Sequence, residues 1–382
     1  MVVLLYMIQR NLNLDQILKQ KSVLLLGPRA TGKSFYIKHQ IENTHVINLL
    51  RNADFMRLSA DHSLLEKICL ENLGKTIVID EIQKIPSLLD EVHHLIEEYK
   101  IKFLLTGSSA RKLKGESVNL LAGRAWLAEM HPLNSSEIGK YDMLQVLNYG
   151  TLPVVFGSTN PIEELDNYVQ TYIQAEIKSE GLIRKIPAFS RFLKTASLAS
   201  GELLNFQNIS NDSATPVSTL KEYYHILQDT LIGRNLEPWI ESKKRKAIAT
   251  AKFYFFDNGV LNTLTENFID SKSSPLYGNR LEHFILNELV CANSYQRRKC
   301  NINFWRSTSK YEVDFIFGDT AIELKSTSKV SNQLLSGLQA LREEKKHKRY
   351  ILISNDPIER KEDSIQLMNI HKFLARLWSG EF

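Results

Sequence analysis

Cysteine is scarce in this chain of 382 residues, where Cys69, Cys291 and Cys300 are the whole complement. Three widely spaced thiols cannot build a disulfide framework and lack the paired spacing of a zinc finger, so a reducing cytoplasm is the expected location. Long apolar runs are missing too: none approaches the roughly eighteen residues that a membrane span requires. The opening "MVVLLYM" is apolar but short, carries no basic flank or small-residue cleavage site, and gives way to "QRNLNLDQ". Neither a signal peptide nor a membrane partner is expected. Proline and glycine are modest, and 43% hydrophobic against 24% charged residues is a globular balance that excludes extensive disorder. The length points to two or three domains. Net charge is +5 and unevenly placed: residues 151–270 carry 12 basic and 14 acidic groups, residues 271–382 carry 18 and 13. A basic C-terminal third is compatible with a nucleic-acid footprint and equally with solvated surface.

What is present is concentrated in a few motifs. "SVLLLGPRATGKSFYIKH" reads as an apolar strand, a loop and a helix, and meets G-x-x-x-x-G-K-[ST] at Gly27, Gly32, Lys33 and Ser34. In such a loop the backbone of Gly27, Pro28, Arg29, Ala30, Thr31 and Gly32 wraps the phosphates of ATP. The helix N-terminus adds its positive end, Lys33 reaches the β/γ oxygens, and the Ser34 hydroxyl ligates Mg²⁺. "KTIVIDEIQKIP" supplies a second buried strand ending in Asp80-Glu81. There Asp80 can hold Mg²⁺ and Glu81 can polarise the attacking water, which favours hydrolysis over passive binding. Two acids opening a helix would also suit the helix dipole.

"IKFLLTGSSARKL" is a third strand whose polar end brings Ser108 to where a γ-phosphate can be sensed, although Ser109 capping the next helix accounts for the pattern equally. In "LLAGRAWLAEM", Arg124 could complete a neighbouring subunit's site in a homo-oligomer or make an ordinary surface salt bridge.

The order "GPRATGKS", "VIDEIQKIPSLL", "FLLTGSSARKL", "LAGRA", "GTLP" and "AKFYFFDNGV" resembles the bacterial and archaeal family of predicted AAA+ superfamily ATPases with a C-terminal domain of unknown function. The resemblance covers nearly the whole chain from Met7. It implies an ATPase core, a winged-helix middle and a restriction-endonuclease-like end. One departure is Ala175-Glu176 after "YVQTYIQ", where relatives usually carry an Arg-Asp pair.

The middle can be read on its own. "FSRFLKTASLASG", "ELLNFQNISNDSA" and "TPVSTLKEYYHILQDT" have helical spacing, and "LIGRNLEPWI" with "KAIATAKFYFFD" forms a hairpin around "ESKKRKA". Three helices and a hairpin suit a winged helix, with Thr219, Lys221 and Tyr223 on the recognition helix and Lys243–Lys246 at the wing tip. The same module can serve as a protein-binding or interdomain spacer.

The C-terminal third has the order αβββαβ, from "PLYGNRLEHFILNELVCANSY" through "NINFWRS", "YEVDFIF", "AIELKS" and "SNQLLSGLQALREEKKHK" to "RYILISND". This order, and the pattern D-x(n)-E-x-K, match the core of that endonuclease-like fold at Asp314, Glu323 and Lys325, with Glu282 on the preceding helix. A two-residue turn at Gly318-Asp319 pairs Asp314 with Glu323, and one at Asp319-Thr320 pairs it with Lys325. Because side chains alternate, either register sends all three to one face. There Asp314 and Glu323 could ligate Mg²⁺ or Mn²⁺ and Lys325 could position the attacking water. Half-exposed edge strands or a catalytically idle fold are the alternatives.

The expectation is therefore an α/β protein of three domains: an AAA+-like P-loop ATPase over 1–148, a helical and winged-helix domain over 149–265, and a PD-(D/E)xK nuclease-like domain over 266–382. ATP hydrolysis would be coupled to metal-dependent cleavage or processing of DNA, in genome maintenance or defence. The alternative is an ATP-driven switch that holds DNA or a partner protein and cuts nothing.

Overall fold

The computed structural model describes residues 8–109, 123–173 and 186–382; Ala175-Glu176 lie outside them. Five N-terminal strands, β1 (Ser22–Leu26), β2 (Thr44–Asn48), β3 (Thr76–Asp80), β4 (Phe103–Gly107) and β5 (Ala125–Glu129), form a wholly parallel sheet. Its order is β2-β3-β4-β1-β5. The continuous apolar run of β1 follows from burial on both sides. Val23 and Leu25 join the cluster of Ile37 and Leu104, while Leu24 and Leu26 join that of Val92 and Leu105. Because β4 lies between β1 and β3, its carboxyl end sits between the loop after β1 and the acids after β3.

The middle of the chain contains helices Ile186–Leu198, Phe206–Ser213 and Val217–Asp229, followed by the antiparallel pair β6 (Gly233–Pro238) and β7 (Lys252–Phe255). Tyr223, expected on an exposed recognition face, is instead buried against Phe189 and Phe192. Lys221 remains exposed beside Phe206. The expected wing tip is anchored rather than free. The backbone N–H groups of Lys243 and Lys244 donate to Glu344, and Arg245 pairs with Glu343 at 3.1 Å.

The remaining strands are β8 (Ile302–Arg306), β9 (Glu312–Phe317), β10 (Thr320–Lys325), β11 (Arg349–Ser354), β12 (Arg360–Glu362) and β13 (Ile365–Asn369). With the β6/β7 hairpin they make one mixed sheet in the order β12-β13-β11-β10-β9-β8-β6-β7. The order αβββαβ is present, beginning with the helix Tyr277–Tyr295, whose Leu281, Phe284, Ile285 and Leu289 pack on Phe315, Ile322 and Leu324.

The sheet does not respect the expected boundary at 265/266, since β6 pairs in parallel with β8 at Glu237–Asn303 and Pro238–Phe304. The boundary expected at 148 falls inside the helix Met143–Tyr149, whose Met143, Val146 and Leu147 belong to the C-terminal core. The helix Met143–Tyr149 buries its apolar face against segments distant in the sequence. Among the described residues, no helix is long and apolar enough to cross a membrane.

Candidate nucleotide site and C-terminal carboxylate pocket

The loop after β1 is built to turn sharply into the helix Lys33–Gln40. Its N-cap Gly32 has φ 92°, a left-handed conformation that glycine adopts without a Cβ penalty. Ala30 also lies there at φ 61°. Thr31 Oγ1 donates to the Pro28 carbonyl at 2.8 Å, and Lys33 Nζ donates to Gly27 O at 2.6 Å and Pro28 O at 3.0 Å. The lysine is thus tethered across the loop with its ammonium at the loop's carbonyls.

Ser34 Oγ donates to Asp80 Oδ2 at 2.9 Å, which brings together the two groups expected at Mg²⁺. The other oxygen of Asp80 accepts from Thr106 Oγ1, and that hydroxyl accepts the N–H of Glu81 at 3.0 Å. Glu81 sits at φ 65°, a strained setting for a side chain with a Cβ, and its carboxylate accepts from Gln83 Nε2 at 2.5 Å. The same amide reaches Ser108 Oγ at 3.2 Å. Ser34, Asp80, Thr106, Glu81, Gln83 and Ser108 therefore form one hydrogen-bonded chain from the P-loop helix to the end of β4. Arg124 is elsewhere. It precedes β5, whose first residue pairs with Ser22 at the start of β1, so it lies at the opposite end of the parallel sheet from Lys33. There it pairs with Glu97, and the chain's own nucleotide site does not include it. An exposed pair of this kind contributes little to stability.

The loop is gripped from outside its own motif, through contacts that short-range sequence patterns do not reveal. Buried Arg10 donates to Thr31 O at 2.8 Å, to His131 O at 2.6 Å and to Tyr295 Oη at 2.9 Å, and pairs with Glu137 at 3.1 Å. Tyr168 Oη donates to Arg29 O at 3.2 Å. Residues of the first and middle thirds thus touch the loop's backbone, and Tyr295 of the last third reaches it through Arg10.

In the C-terminal sheet, Phe317 pairs with Thr320 and Ile322 with Phe315, so the turn is Gly318-Asp319 and the register carries Glu323 opposite Asp314. Beyond the last pair the ladder opens, and Asp314 Oδ2 accepts the N–H of Leu324 at 2.7 Å. Lys325 Nζ donates to Glu323 Oε1 at 2.5 Å. Two further groups come from outside the motif. Lys252 on β7 lies 3.3 Å from Glu282 and 2.9 Å from Glu312, and Tyr254 Oη donates to Glu282. Glu312, two residues before Asp314, was available to the period-two pattern.

Burial raises the pKa of Asp314 well above the usual carboxylate range, with Glu323 and Glu282 adding to it against Lys325 and Lys252. Burial pushes Glu323 to about 7 despite its pairing with Lys325. Burial opposes the charge on Lys252, but Glu282, Glu312 and Asp314 outweigh it and its pKa rises. Lys325 is raised in the same way by Glu323 and Asp314. The two members of the Glu323–Lys325 pair thus respond differently: attraction prevails at the lysine, 34% exposed, and burial prevails at the carboxylate, 5% exposed.

A hard divalent cation needs several carboxylate oxygens turned to one point. Here one oxygen of Asp314 is committed to a backbone N–H, one of Glu323 to Lys325, and one of Glu282 and one of Glu312 to Lys252. Among the described residues no group of three acids or other ligating side chains could hold a metal ion. As folded, the pocket does not fit Mg²⁺ or Mn²⁺.

Residues 19–139 match the family model for an AAA domain. The N-terminal segment is an AAA-type P-loop ATPase domain. Residues 140–271 and 277–373 match two models, each described as a domain of unknown function (DUF8612 and DUF4143). An uncharacterized protein of Mycobacterium tuberculosis is 25% identical over 309 residues, covering 76% of this chain and 66% of its own. One from Haemophilus influenzae is 24% identical over 346 residues, covering 81% and 84%. The chain thus spans just under two thirds of the mycobacterial relative. Among solved structures, that of the Aeropyrum pernix ORC1 protein in complex with DNA is 12% identical, covering 65% of this chain and 87% of that one, with a TM-score of 0.26.

Proposed function

We propose that the protein hydrolyses ATP and uses its nucleotide state as a switch that sets the C-terminal sheet, through which it holds DNA or a partner protein. The observation that carries the hydrolysis is the chain of contacts Ser34–Asp80–Thr106–Glu81–Gln83–Ser108. Loop N–H groups and Lys33 would hold the phosphates, and Ser34 with Asp80 would hold Mg²⁺, whose role is to neutralise charge on the transferred phosphoryl group. Glu81, oriented by Gln83, accepts hydrogen bonds in the position of a water-activating base. Ser108, at the tip of the strand between the two motifs, shares Gln83 with Glu81 and is the group placed to respond to the terminal phosphate.

Transmission is supported by the helix Tyr277–Tyr295. Its last residue touches Arg10, which supports the loop, and its Glu282 belongs to the carboxylate pocket. The test is Glu81→Gln. ATP binding should persist while steady-state phosphate release falls by roughly a hundredfold or more. Turnover within a factor of two of wild type would remove Glu81 from the reaction.

A second reading is ATP-gated, metal-dependent DNA cleavage at Asp314, Glu323, Lys325 and Glu282. It is favoured by the register that opposes Asp314 and Glu323 with Lys325 at hand. Its test is incubation of single-stranded and duplex DNA with Mg²⁺ or Mn²⁺, with and without ATP. Cleavage lost in Asp314→Ala supports it, and no cleavage under any condition leaves the switch.

A further inference from the structure

Between β6 and β7 the chain crosses to the last third and is fastened there. Arg245, the one guanidinium of "KKRK", is turned inward. It donates to Ala340 O at 3.0 Å, pairs with Glu343 at 3.1 Å and lies over the Tyr311 ring at 5.2 Å. Glu344 accepts from Ser242 Oγ at 2.7 Å and from the N–H groups of Lys243 at 2.9 Å and Lys244 at 3.1 Å. Lys246 O accepts the N–H of Thr308 at 2.9 Å, and Ala247 bridges Ser307. These contacts engage backbone, Ser242 and Arg245, and so fix the tip without using a lysine ammonium.

The lysines are left to solvent. Lys243, Lys244 and Lys246 are exposed, as are Lys345 and Lys346 directly after Glu344, and Lys310 in the turn that follows Ser307. Among the described residues none of these six ammonium groups pairs with a carboxylate. Of the acids in the same loops, Glu343 holds Arg245 and Glu344 holds the tip's backbone, which leaves Glu241 against six positive charges. Like charges gathered in this way repel one another, and a polyanion relieves the repulsion. The helix Ser336–Arg342 joins this surface to the carboxylate pocket, since Gly337 backs onto Glu312 and Glu323 while Ala340 holds Arg245. From Gly337 to Glu344 is about 10 Å along a helix.

We propose that the tip of the middle segment and the loop after the helix Ser336–Arg342 form one surface that binds the phosphate backbone of duplex DNA. The inference rests on the reading that the protein holds DNA, and it names the surface that does so. Lysines meet phosphates as point charges, whereas Arg245, whose fork could read a base edge, is spent internally. Such contacts position the duplex without reading its sequence. The nearby rings are not on offer to unstacked bases: Trp239 is buried beside His347, and Tyr311 lies under Arg245. That favours a duplex over a single strand. Lysine is depleted from protein interfaces, which argues against a protein in this place. A membrane would need an apolar face, and Ile240 is the one large apolar side chain exposed in these loops. Lys221, on the expected recognition helix, has no part in the surface.

The test is fluorescence anisotropy of a labelled DNA duplex titrated with the full chain over a salt series, with and without ATP. One variant combines Lys243→Ala, Lys244→Ala and Lys246→Ala, and a second combines Lys345→Ala and Lys346→Ala. Both should weaken binding, the triple variant by at least about tenfold, and the slope of log affinity against log salt should fall by about one per lysine removed. Lys221→Ala should bind as wild type does. Exposed lysines carry little of the fold, so thermal melts should stay close to that of wild type. Affinity within about twofold of wild type in either combined variant, loss with Lys221→Ala instead, or tighter binding of the single strand overturns the proposal and leaves DNA binding in place. Wild type that binds no DNA in either nucleotide state overturns the proposal and also removes DNA from the proposed function, whether or not phosphatidylserine vesicles bind through the same lysines.

Discussion

Arg10 is the clearest place to perturb the coupling between the nucleotide loop and the rest of the chain. The residue is 8% exposed, and its guanidinium serves three backbone carbonyls, those of Thr31, His131 and Pro132, one phenol and the Glu137 carboxylate. Burial opposes its charge, yet Tyr295 and Glu137 raise its pKa, so it is charged throughout the working range. Replacement by methionine preserves the stem but strips the carbonyls of Thr31 and His131 and the buried Glu137 carboxylate of a donor. Breaking a buried pair on one side costs about 3–5 kcal/mol, because the remaining charge is left uncompensated. Glu137 keeps the N–H groups of Asn11 and Asn134, which places the expectation toward the lower end. Lysine at this position would retain charge but not the fork, and should cost about 1–2 kcal/mol. Urea unfolding followed by tryptophan fluorescence reads the stability, and titration with a fluorescent ATP analogue reads the loop. Arg10→Met should weaken nucleotide binding by roughly tenfold, since the loop then pays for its own ordering. A methionine variant within about 1 kcal/mol of wild type, with unchanged nucleotide affinity, would refute the reasoning.

Two further outcomes follow from single buried groups. Burial raises the Glu288 carboxyl from 4.5 to about 7 even though Ser135 and Trp378 donate to it. The folded state therefore binds the proton more tightly than the unfolded one, and this group's contribution is fully present below pH 4.5 and lost as pH rises to about 7. The loss is on the order of 3 kcal/mol, so the stability difference between wild type and Glu288→Gln should shift against wild type across that window and level off above it; a pH-independent difference in urea titrations would contradict this. Gly337→Ala should lower the melting temperature by several degrees, because the added Cβ would stand 2.1 Å from the backbone carbonyl of Glu312, which cannot rotate away. A melt within about one degree of wild type would show that the helix Ser336–Arg342 shifts freely.

The features legible in the sequence are those whose chemistry is local. The P-loop and the Asp80-Glu81 pair each declare themselves within a dozen residues, and the sheet then joins them through Ser34 and Asp80. Two turns fit the hairpin's sequence, and the observed turn at Gly318-Asp319 sets a register whose last pair is Ile322 with Phe315, one step short of Glu323 and Asp314. Groups that act across the chain were invisible: Arg10 meets a tyrosine 285 residues away, and Lys252 meets glutamates on two later elements. Strand β2, half polar as "THVIN", carries too weak an alternation to declare itself, as befits a partly exposed edge. Tyr223 lies on the expected helix but faces the core, because one helix period cannot tell a core aromatic from a groove-facing one. Lys252 and Tyr254 did alternate with Phe253 and Phe255 in "KFYF", and that period-two pattern marks two polar groups sharing one side of β7.

A single helix gives the two sites a mechanical relation. From Glu282 to Tyr295 it spans about 20 Å, with Tyr295 against Arg10 at one end and Glu282 against Lys252 toward the other. Between them Glu288 is held by Ser135 and by Trp378 of the final helix Ile370–Ser379, so the rod is pinned near its middle. The Glu282 end is held as well, since His283 meets Phe255 O and Leu281, Phe284 and Ile285 are buried against the sheet. A displacement of Arg10 as the loop closes on phosphate would then be carried by the helix, with the sheet it packs on, to Glu282. That is the residue whose oxygen both Lys252 and Tyr254 share. The coupling needs no continuous path of polar contacts, only a helix that moves as one body. It also assigns directions to the effects: loss of Arg10 should uncouple the pocket from nucleotide, whereas loss of Lys252 should change the pocket and leave ATP binding as it was.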